Sequence, residues 1–254
     1  MAGFFVDIHS HVVPSGDDGA QSREEGLELC RRAAERGTRV LFATPHVWPM
    51  LTLTKEREAA VRAAAADMAP AAAAAGVDLR LGFELTPTPS LLDEDPRRYR
   101  LGGLEAVLME VPFHGSLTLA ERLAEHIEAA GLLPVIAHPE RSERILEAPP
   151  LAARLRERGW LLQANATSLL GYHGPEMEAA AWELIDRGLV DLVGSDGHRL
   201  ARPPFLDEAY RLVRERVGDR GDALFDGRAL GIAQAVPAPK GGRLAARDRV
   251  DLAQ

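Results

Sequence analysis

The stretch Phe4-Phe5-Val6-Asp7-Ile8-His9-Ser10-His11 decides how the rest of the chain is interpreted. Its apolar start predicts a short buried strand over Phe4–His9. Residues two apart in an extended segment share a face, so the side chains of His9 and His11 point to the same side. In parallel α/β folds, functional side chains collect where strands end. This stretch therefore predicts a strand of a parallel sheet and the start of a functional site.

Six further apolar runs alternate with helix-like segments along the chain. Most are continuously apolar, as expected of parallel strands that are covered on both faces. The predicted strands are Arg39–Thr44, Asp78–Phe83, Ala106–Val111, Pro134–His138, Trp160–Asn165 and Asp191–Ser195. The predicted helices are Ser22–Glu35, Glu56–Ala75 (broken or kinked at Pro70), Thr118–Ala130, Pro150–Arg158, Pro175–Arg187 and Pro204–Val217. This alternation predicts one α/β domain over residues 1–235, a distorted seven-stranded (β/α) barrel, followed by a loose tail over residues 236–254.

Composition excludes several classes of function. The 254 residues carry a net charge of −8, which argues against a nucleic-acid-binding or anionic-membrane-binding protein. No apolar run approaches the roughly 20 residues of a membrane span. The single cysteine excludes an intramolecular disulfide and fits a reducing compartment. We therefore expect a cytoplasmic protein without membrane insertion.

Potential metal ligands occur at nearly every predicted strand end. A single histidine or glutamate there is usually structural, but five of the eight histidines fall at such ends. Imidazole and carboxylate ligands without thiolate suit manganese, iron or zinc, and so many ligands exceed the needs of one ion. The strand-end candidates are His9, His11, His46, Glu84, Glu110, His138, Asp196 and His198, with Asp17 and Asp18 in the loop after the first strand. The pattern predicts two or three divalent metal ions.

Two arginines, Arg141 and Arg202, follow His138 and His198 closely and should lie on the same rim. A guanidinium group binds a phosphoryl group through two parallel hydrogen bonds. Taken alone, each arginine could instead form an ion pair on the protein surface rather than bind a phosphoryl group. Together with the metal ligands, the pair favours hydrolysis of a phosphate ester. His114 and His173 lie in loops of the same rim, and the sequence gives less support for a functional role of either residue.

Cys30 and Arg36 have the Cys-x5-Arg spacing of cysteine-dependent tyrosine phosphatases. That chemistry needs a loop of small residues whose backbone N–H groups surround a phosphate. Here the residues between are strong helix formers inside a predicted helix, whose N–H groups are already bonded. We therefore interpret Cys30 as a packing residue.

With these motifs in hand, the chain resembles the bacterial protein-tyrosine phosphatases of the polymerase and histidinol phosphatase (PHP) superfamily, which are associated with capsule and exopolysaccharide operons. The motifs run in the same order as in that family. They are Asp7-Ile8-His9-Ser10-His11, Asp17-Asp18-Gly19-Ala20, Ala43-Thr44-Pro45-His46, Glu84, Glu110, Ala137-His138-Pro139-Glu140-Arg141, Ser168-Leu169-Leu170-Gly171, Gly194-Ser195-Asp196-Gly197-His198 and Arg202-Pro203-Pro204.

The resemblance implies a PHP-type barrel and a set of functional residues. The implied metal ligands are His9, His11, Asp18, His46, Glu84, Glu110, His138, Asp196 and His198. The implied catalytic and phosphate-binding residues are Arg141, Arg202, Asp18, His46 and His198. It further implies manganese as the metal, a phosphotyrosine protein as substrate, and a tyrosine kinase of polysaccharide synthesis as target.

Two residues depart from the family pattern. Val47 stands where a second histidine is common, and Ser142 stands where an aromatic residue is common. The first leaves the ligand set intact. The second raises the question of how an aromatic substrate is held.

The expected reaction is hydrolysis of phosphotyrosine by a metal-activated water, without a covalent enzyme intermediate. Two alternatives remain open. One is a small-molecule phosphatase of the histidinol-phosphate kind, which would share the metals and differ in its pocket. The other is a non-catalytic metal-binding regulator.

Overall fold

A computed structural model describes residues 4–232 of the chain. The predicted tail, residues 236–254, lies outside the described part. The strands are β1 (Phe5–Ser10), β2 (Thr38–Ala43), β3 (His46–Val47), β4 (Asp78–Leu81), β5 (Glu84–Leu85), β6 (Ala106–Glu110), β7 (Leu133–Ala137), β8 (Leu161–Asn165) and β9 (Leu192–Gly194). The helices are α1 (Arg23–Glu35), α2 (Lys55–Ala74), α3 (Thr118–Ala129), α4 (Glu143–Glu147), α5 (Pro150–Glu157), α6 (Ala166–Leu169), α7 (Pro175–Asp186) and α8 (Asp207–Val217).

The strands form two parallel sheets, ordered β1-β2-β4 and β3-β5-β6-β7-β8-β9. All seven predicted strands are found, so the prediction of a parallel α/β fold is confirmed. Two of them, however, continue after a short break into an additional strand: β2 into β3 across Thr44-Pro45, and β4 into β5 across Gly82-Phe83. The breaks divide the ladder into two sheets, and the closed seven-stranded barrel stays a prediction.

The two sheets meet where β1 and β9 end. Ser10 forms an isolated parallel bridge with Gly197, and the His11 N–H donates to the Gly197 carbonyl at 2.7 Å. The Asp196 N–H donates to the His9 carbonyl at 2.9 Å. These bonds hold the segments after β1 and β9 side by side, although the segments are distant in the sequence.

Alternate residues of the strands face two different apolar clusters. On β6, Val107 and Met109 belong to the cluster that packs against the helices. Ala106 and Leu108 belong to a second cluster, formed with residues of β1, β2, β7 and β9. Strands covered on both faces explain why the sequence runs are apolar throughout rather than alternating.

Most predicted helices occur within a few residues of their expected bounds. Helix α2 runs through Pro70 without ending there, so the helix is not broken at Pro70, and a kink there stays a prediction. Helices α4 and α6 are short and were not predicted, because each spans less than two turns and shows too little periodicity. Within residues 4–232, none of the helices combines the length and apolar character that crossing a bilayer needs.

Candidate metal centre

The strand ends bring eight of the nine predicted ligands into one continuous cluster. Within each of three groups, one ligand atom per residue lies within 4.8 Å of the others. The groups are His9, His11, Glu84 and Asp196; His11, His46 and His198; and Glu84, Glu110 and His138. The first and second groups share His11, and the first and third share Glu84. Ions held by these groups would therefore lie next to one another. Val47 packs in the core beside this cluster and offers no ligand.

Asp18 is the predicted ligand outside these groups. Its side chain is 62% exposed, and its Oδ1 lies 3.3 Å from Nε2 of His198 and 3.6 Å from Nε2 of His46. The Asp18 carboxylate thus lies at the open edge of the cluster, where solvent and substrate can reach it.

Glu84 lies at the centre of the cluster and is fully buried. Its Oε2 faces three imidazoles: it lies 3.0 Å from Nδ1 of His46, 3.1 Å from Nε2 of His9 and 3.3 Å from Nε2 of His11. Its other oxygen, Oε1, lies 3.0 Å from Nε2 of His138. The two oxygens of one carboxylate are therefore directed at different ligand groups, which is the arrangement of a bridging ligand.

His9 is held in a defined tautomer by Gln163, which sequence analysis did not identify. The Gln163 Nε2 donates to the Ala164 carbonyl and to Asn165 Oδ1, so its Oε1 must face His9. Nδ1 of His9 lies 2.9 Å from that oxygen and donates to it. Consequently Nε2 of His9 presents its lone pair to the cluster, as a metal ligand requires.

Asp17 supports His11 in a similar way. Sequence analysis named Asp17 in the loop after the first strand but assigned it no role. Its Oδ2 lies 3.3 Å from Nδ1 of His11 and accepts the His46 N–H at 3.0 Å. Burial opposes ionisation of Asp17, but its hydrogen bond with His11, the charge of His11 and the N–H groups of His46 and Gly19 together outweigh burial and lower the pKa of Asp17 well below its usual value. Gly19 is required here because an added Cβ would lie 2.4 Å from the His11 carbonyl oxygen.

The chemistry and spacing of these groups fit a divalent cation. Nε2 of His9 and Nε2 of His11 are buried and only 3.3 Å apart. Ligands about 2.1 Å from a tetrahedral metal are about 3.4 Å from one another, so this spacing is that of a coordination edge. Glu84 Oε2 is buried and makes no hydrogen bond. Burying such groups without a cation is costly, because each loses its hydration.

The charges in the cluster depend strongly on one another. Burial disfavours protonated His11, but its close contacts with the carboxylates of Asp17, Asp196 and Glu84 together outweigh burial and raise the pKa of His11 well above its usual value. Burial likewise opposes ionisation of Glu84, while the charges of His9 and His46 lower the pKa of Glu84 well below its usual value. Protons on the imidazoles therefore balance the carboxylates, and a metal cation would replace those protons.

Two candidate ligands have strained backbones. His138 and Asp196 have φ values of 34° and 53°, and they are the two residues other than glycine with positive φ in the described part of the chain. Such conformations cost on the order of 1–3 kcal/mol and persist where the surrounding structure enforces them. His138 directly follows β7 and Asp196 lies two residues after β9, so the strained backbone directs both side chains from the strand ends toward the cluster.

The two predicted arginines lie beside Asp196. Arg141 donates from Nη1 to Asp196 Oδ2 at 3.1 Å, and Arg202 Nη2 lies 3.9 Å from Asp196 Oδ1. Arg202 also contacts Nδ1 of His198. Burial and the positive charge of Arg141 lower the pKa of the nearby His173 to about 4, so its ring is neutral at pH 7. The arginines thus form the positive edge of the cluster.

Two aromatic residues border the cluster and were not predicted as part of it. The Trp48 ring stacks on His46 with ring centres 4.4 Å apart. The Phe113 ring lies 5.7 Å from the His138 ring, with the Arg141 guanidinium 4.6 Å from its centre. Sequence patterns gave no signal for them, because each lies in an irregular loop after a strand.

Cys30 is not part of this cluster. Cys30 lies within α1, is fully buried in the main apolar cluster, and is a free thiol. Burial raises the pKa of the Cys30 thiol to about 12, so it is not a thiolate at neutral pH. The interpretation of Cys30 as a packing residue is confirmed.

Comparison with known proteins agrees with the resemblance seen in the sequence. The sequence model of a family described as "Capsular polysaccharide synthesis, CpsB/CapC" matches residues 5–225. The tyrosine-protein phosphatase YwqE of Bacillus subtilis (strain 168) is 32% identical over 222 residues, which cover 83% of this chain and 84% of YwqE. The tyrosine-protein phosphatase CpsB of Streptococcus pneumoniae is 28% identical over 226 residues, covering 84% and 91% of the two chains.

Solved structures support the same relationship. A chain from the crystal structures of YwqE and CpsB, described as unique metal-dependent tyrosine phosphatases, superposes with a TM-score of 0.79 at 30% identity. The superposition covers 88% of this chain and 92% of that one. The phosphotriesterase homology protein of Escherichia coli superposes with a TM-score of 0.53 at 12% identity, which shows a shared fold alone.

Proposed function

Because the chain belongs to the CpsB/CapC family of capsular polysaccharide synthesis proteins, we propose that it is a metal-dependent protein-tyrosine phosphatase. The observation that carries this proposal is the buried cluster of imidazoles and carboxylates with two arginines at its edge. The cluster can bind cations, and the arginines add positive charge for a phosphoryl group. Relatives that carry the name tyrosine-protein phosphatase match more than four fifths of the chain.

We propose two or three divalent ions in the cluster, with manganese as the metal and iron or zinc as alternatives. Hard carboxylate oxygens and imidazole nitrogens without thiolate support this choice. The proposed ligands are His9, His11, Asp18, His46, Glu84, Glu110, His138, Asp196 and His198. The shared positions of His11 and Glu84 support neighbouring ions.

When bound, the cations would supply a water of lowered pKa and positive charge for the phosphoryl oxygens. Arg141 and Arg202 bind the remaining phosphoryl oxygens and orient the ester. Asp18 lies at the open edge beside His46 and His198, so we assign these three to orienting the attacking water. A tyrosine leaving group has a pKa of about 10 and needs only modest help.

We also propose that the two sheets together form the distorted seven-stranded (β/α) barrel typical of PHP proteins. The apolar cluster shared by one face of β1, β2, β6, β7 and β9 supports a common interior. The bridge between Ser10 and Gly197 joins the ends of β1 and β9 and supports closure of the barrel between them.

The proposed substrate is a phosphotyrosine protein, and a tyrosine kinase of polysaccharide synthesis is the proposed physiological target. The family description, which concerns capsular polysaccharide synthesis, supports this target.

A substrate panel tests the function. Chelator-treated protein, before and after addition of manganese, is assayed with phosphotyrosine peptides, phosphoserine peptides and histidinol phosphate. We expect manganese-dependent hydrolysis that is fastest with phosphotyrosine peptides. A preference for histidinol phosphate would support the small-molecule alternative, and metal-loaded protein inactive on every ester would support a regulator.

A further inference from the structure

One exposed aromatic ring lies directly beside the metal centre. Four large hydrophobic side chains are exposed among residues 4–232: Met50, Phe113, Tyr172 and Leu200. Exposed hydrophobic residues are commonly scattered singly over a surface and then need no functional explanation. An exposed ring that packs on a polar functional cluster is different, because it can contact an apolar part of whatever binds there.

Phe113 is the one of these four whose ring contacts the proposed catalytic groups. The ring packs against both His138 and the guanidinium of Arg141, yet 39% of the residue is exposed. The ring therefore has an open portion directly beside the positions proposed for a metal and for a phosphoryl group.

The loop that carries Phe113 is fixed to the segment after Arg141. The Ser142 hydroxyl donates to the Pro112 carbonyl at 2.8 Å, and the Glu143 N–H donates to the Phe113 carbonyl at 2.8 Å. These two bonds place Phe113 at a fixed distance from the arginine. The site can therefore have an aromatic wall even though Ser142 is small, because Phe113 of the neighbouring loop supplies the ring.

We propose that Phe113 forms the apolar wall that receives the aryl ring of the substrate and so selects aryl over alkyl phosphate esters. This inference rests on the proposed phosphatase function and deepens it. In an aryl phosphate, a single ester oxygen joins the ring to the phosphoryl group. The separation of ring and phosphoryl group is therefore of the same order as the 4.6 Å between the Phe113 ring centre and the Arg141 guanidinium. Aromatic pairs contribute beyond simple burial, and alkyl esters would gain little from this wall.

The test compares aryl and alkyl esters in one enzyme, because Phe113 also packs against Arg141. The kcat/KM of the manganese-loaded full chain is measured for a phosphotyrosine peptide and for a phosphoserine peptide of otherwise identical sequence. Their ratio cancels any general damage to Arg141 or to metal binding. We expect Phe113→Ala to lower the aryl-to-alkyl ratio roughly 3- to 10-fold, with Phe113→Tyr close to the parent ratio.

Met50→Ala is the matched control, since Met50 is 92% exposed in the loop after β3. It should leave the ratio unchanged. Equal loss on both peptides in Phe113→Ala would show that the ring only supports Arg141, and an unchanged ratio would remove any role; either result overturns the proposal. If Phe113→Ala does not fold, Phe113→Leu keeps apolar volume without a ring and must show the lowered ratio.

Direct binding separates this inference from the proposed function. Phenylphosphonate and methylphosphonate, which are not hydrolysed, are titrated calorimetrically into the manganese-loaded parent and Phe113→Leu proteins. We expect the parent to prefer phenylphosphonate and the variant to lose most of that preference. A parent that hydrolyses no ester would end the phosphatase proposal while this preference is still measured, and equal binding of both phosphonates by the parent would end the inference alone.

Discussion

At the scale of single residues, two of the candidate ligands, His9 and His11, are oriented by neighbours that are not themselves candidate ligands. Gln163 fixes the tautomer of His9, and Asp17 accepts from His11. The strained backbones of His138 and Asp196 turn their side chains toward the cluster. Such supporting groups determine whether a ligand is correctly protonated and aimed, so their loss should weaken the metal centre.

The Gln163→Ala variant isolates this supporting role. Without the Gln163 oxygen, Nδ1 of His9 loses its acceptor and the ring can rotate or change tautomer. We expect manganese affinity to fall roughly 10- to 100-fold with the fold retained. Isothermal titration with manganese measures the affinity, and circular dichroism checks the fold. Unchanged affinity in a folded variant would show that His9 needs no such support.

At the scale of elements, the irregular segments after the strands carry the chemistry, while helices supply packing. Helix α1 illustrates the difference, since its residues reproduce the spacing of a cysteine phosphatase without its loop. The Cys30 side chain is fully buried, and its raised pKa keeps the thiol neutral. A helix interior has no free N–H groups for a phosphate.

Cys30→Ala should therefore leave phosphatase activity within about twofold of the parent. The lost sulfur leaves a small cavity, so we expect a destabilisation of about 1–2 kcal/mol in chemical unfolding. Iodoacetamide should not inactivate the folded parent protein. A catalytically dead but folded Cys30→Ala variant would return the cysteine mechanism to consideration.

At the scale of the whole molecule, the ligand cluster contains many buried titratable groups, so the affinity for metal depends on pH. In the metal-free protein, the pKa of His11 is raised well above its usual value and that of His9 is also raised. Protonated His11 then stabilises the metal-free fold fully below the unfolded pKa near 6.5, and this contribution is lost as pH rises through the higher folded value.

Metal must displace these protons, so manganese affinity should rise with pH. We expect a gain of roughly tenfold per pH unit for each proton released, between pH 6 and pH 8. Titration calorimetry in buffers of different ionisation enthalpy counts the protons. Equal affinity at both pH values, with no proton release, would contradict the coupling of imidazole protons to metal binding.

Sequence alone predicted the parallel strands and the eight residues that the structure brings into one cluster, because both depend on local patterns. The alternation of His9 and His11 and the position of Glu84 after an apolar run are visible without a structure. The continuation of β2 into β3 was not predicted, since a two-residue strand has no periodicity. Gln163 and Phe113 were also missed, because their roles come from contacts with residues distant in sequence, 154 positions away for Gln163 and His9.

We propose that phosphotyrosine hydrolysis requires cations held by these side chains. The most direct measurement determines, on the same samples, the manganese content per chain and the rate of phosphotyrosine peptide hydrolysis, for the parent and the His9→Ala/His138→Ala double variant. We predict two or three ions per parent chain, fewer in the variant, and a loss of activity of at least about 100-fold. Full activity in a double variant that has lost its metal would contradict the account.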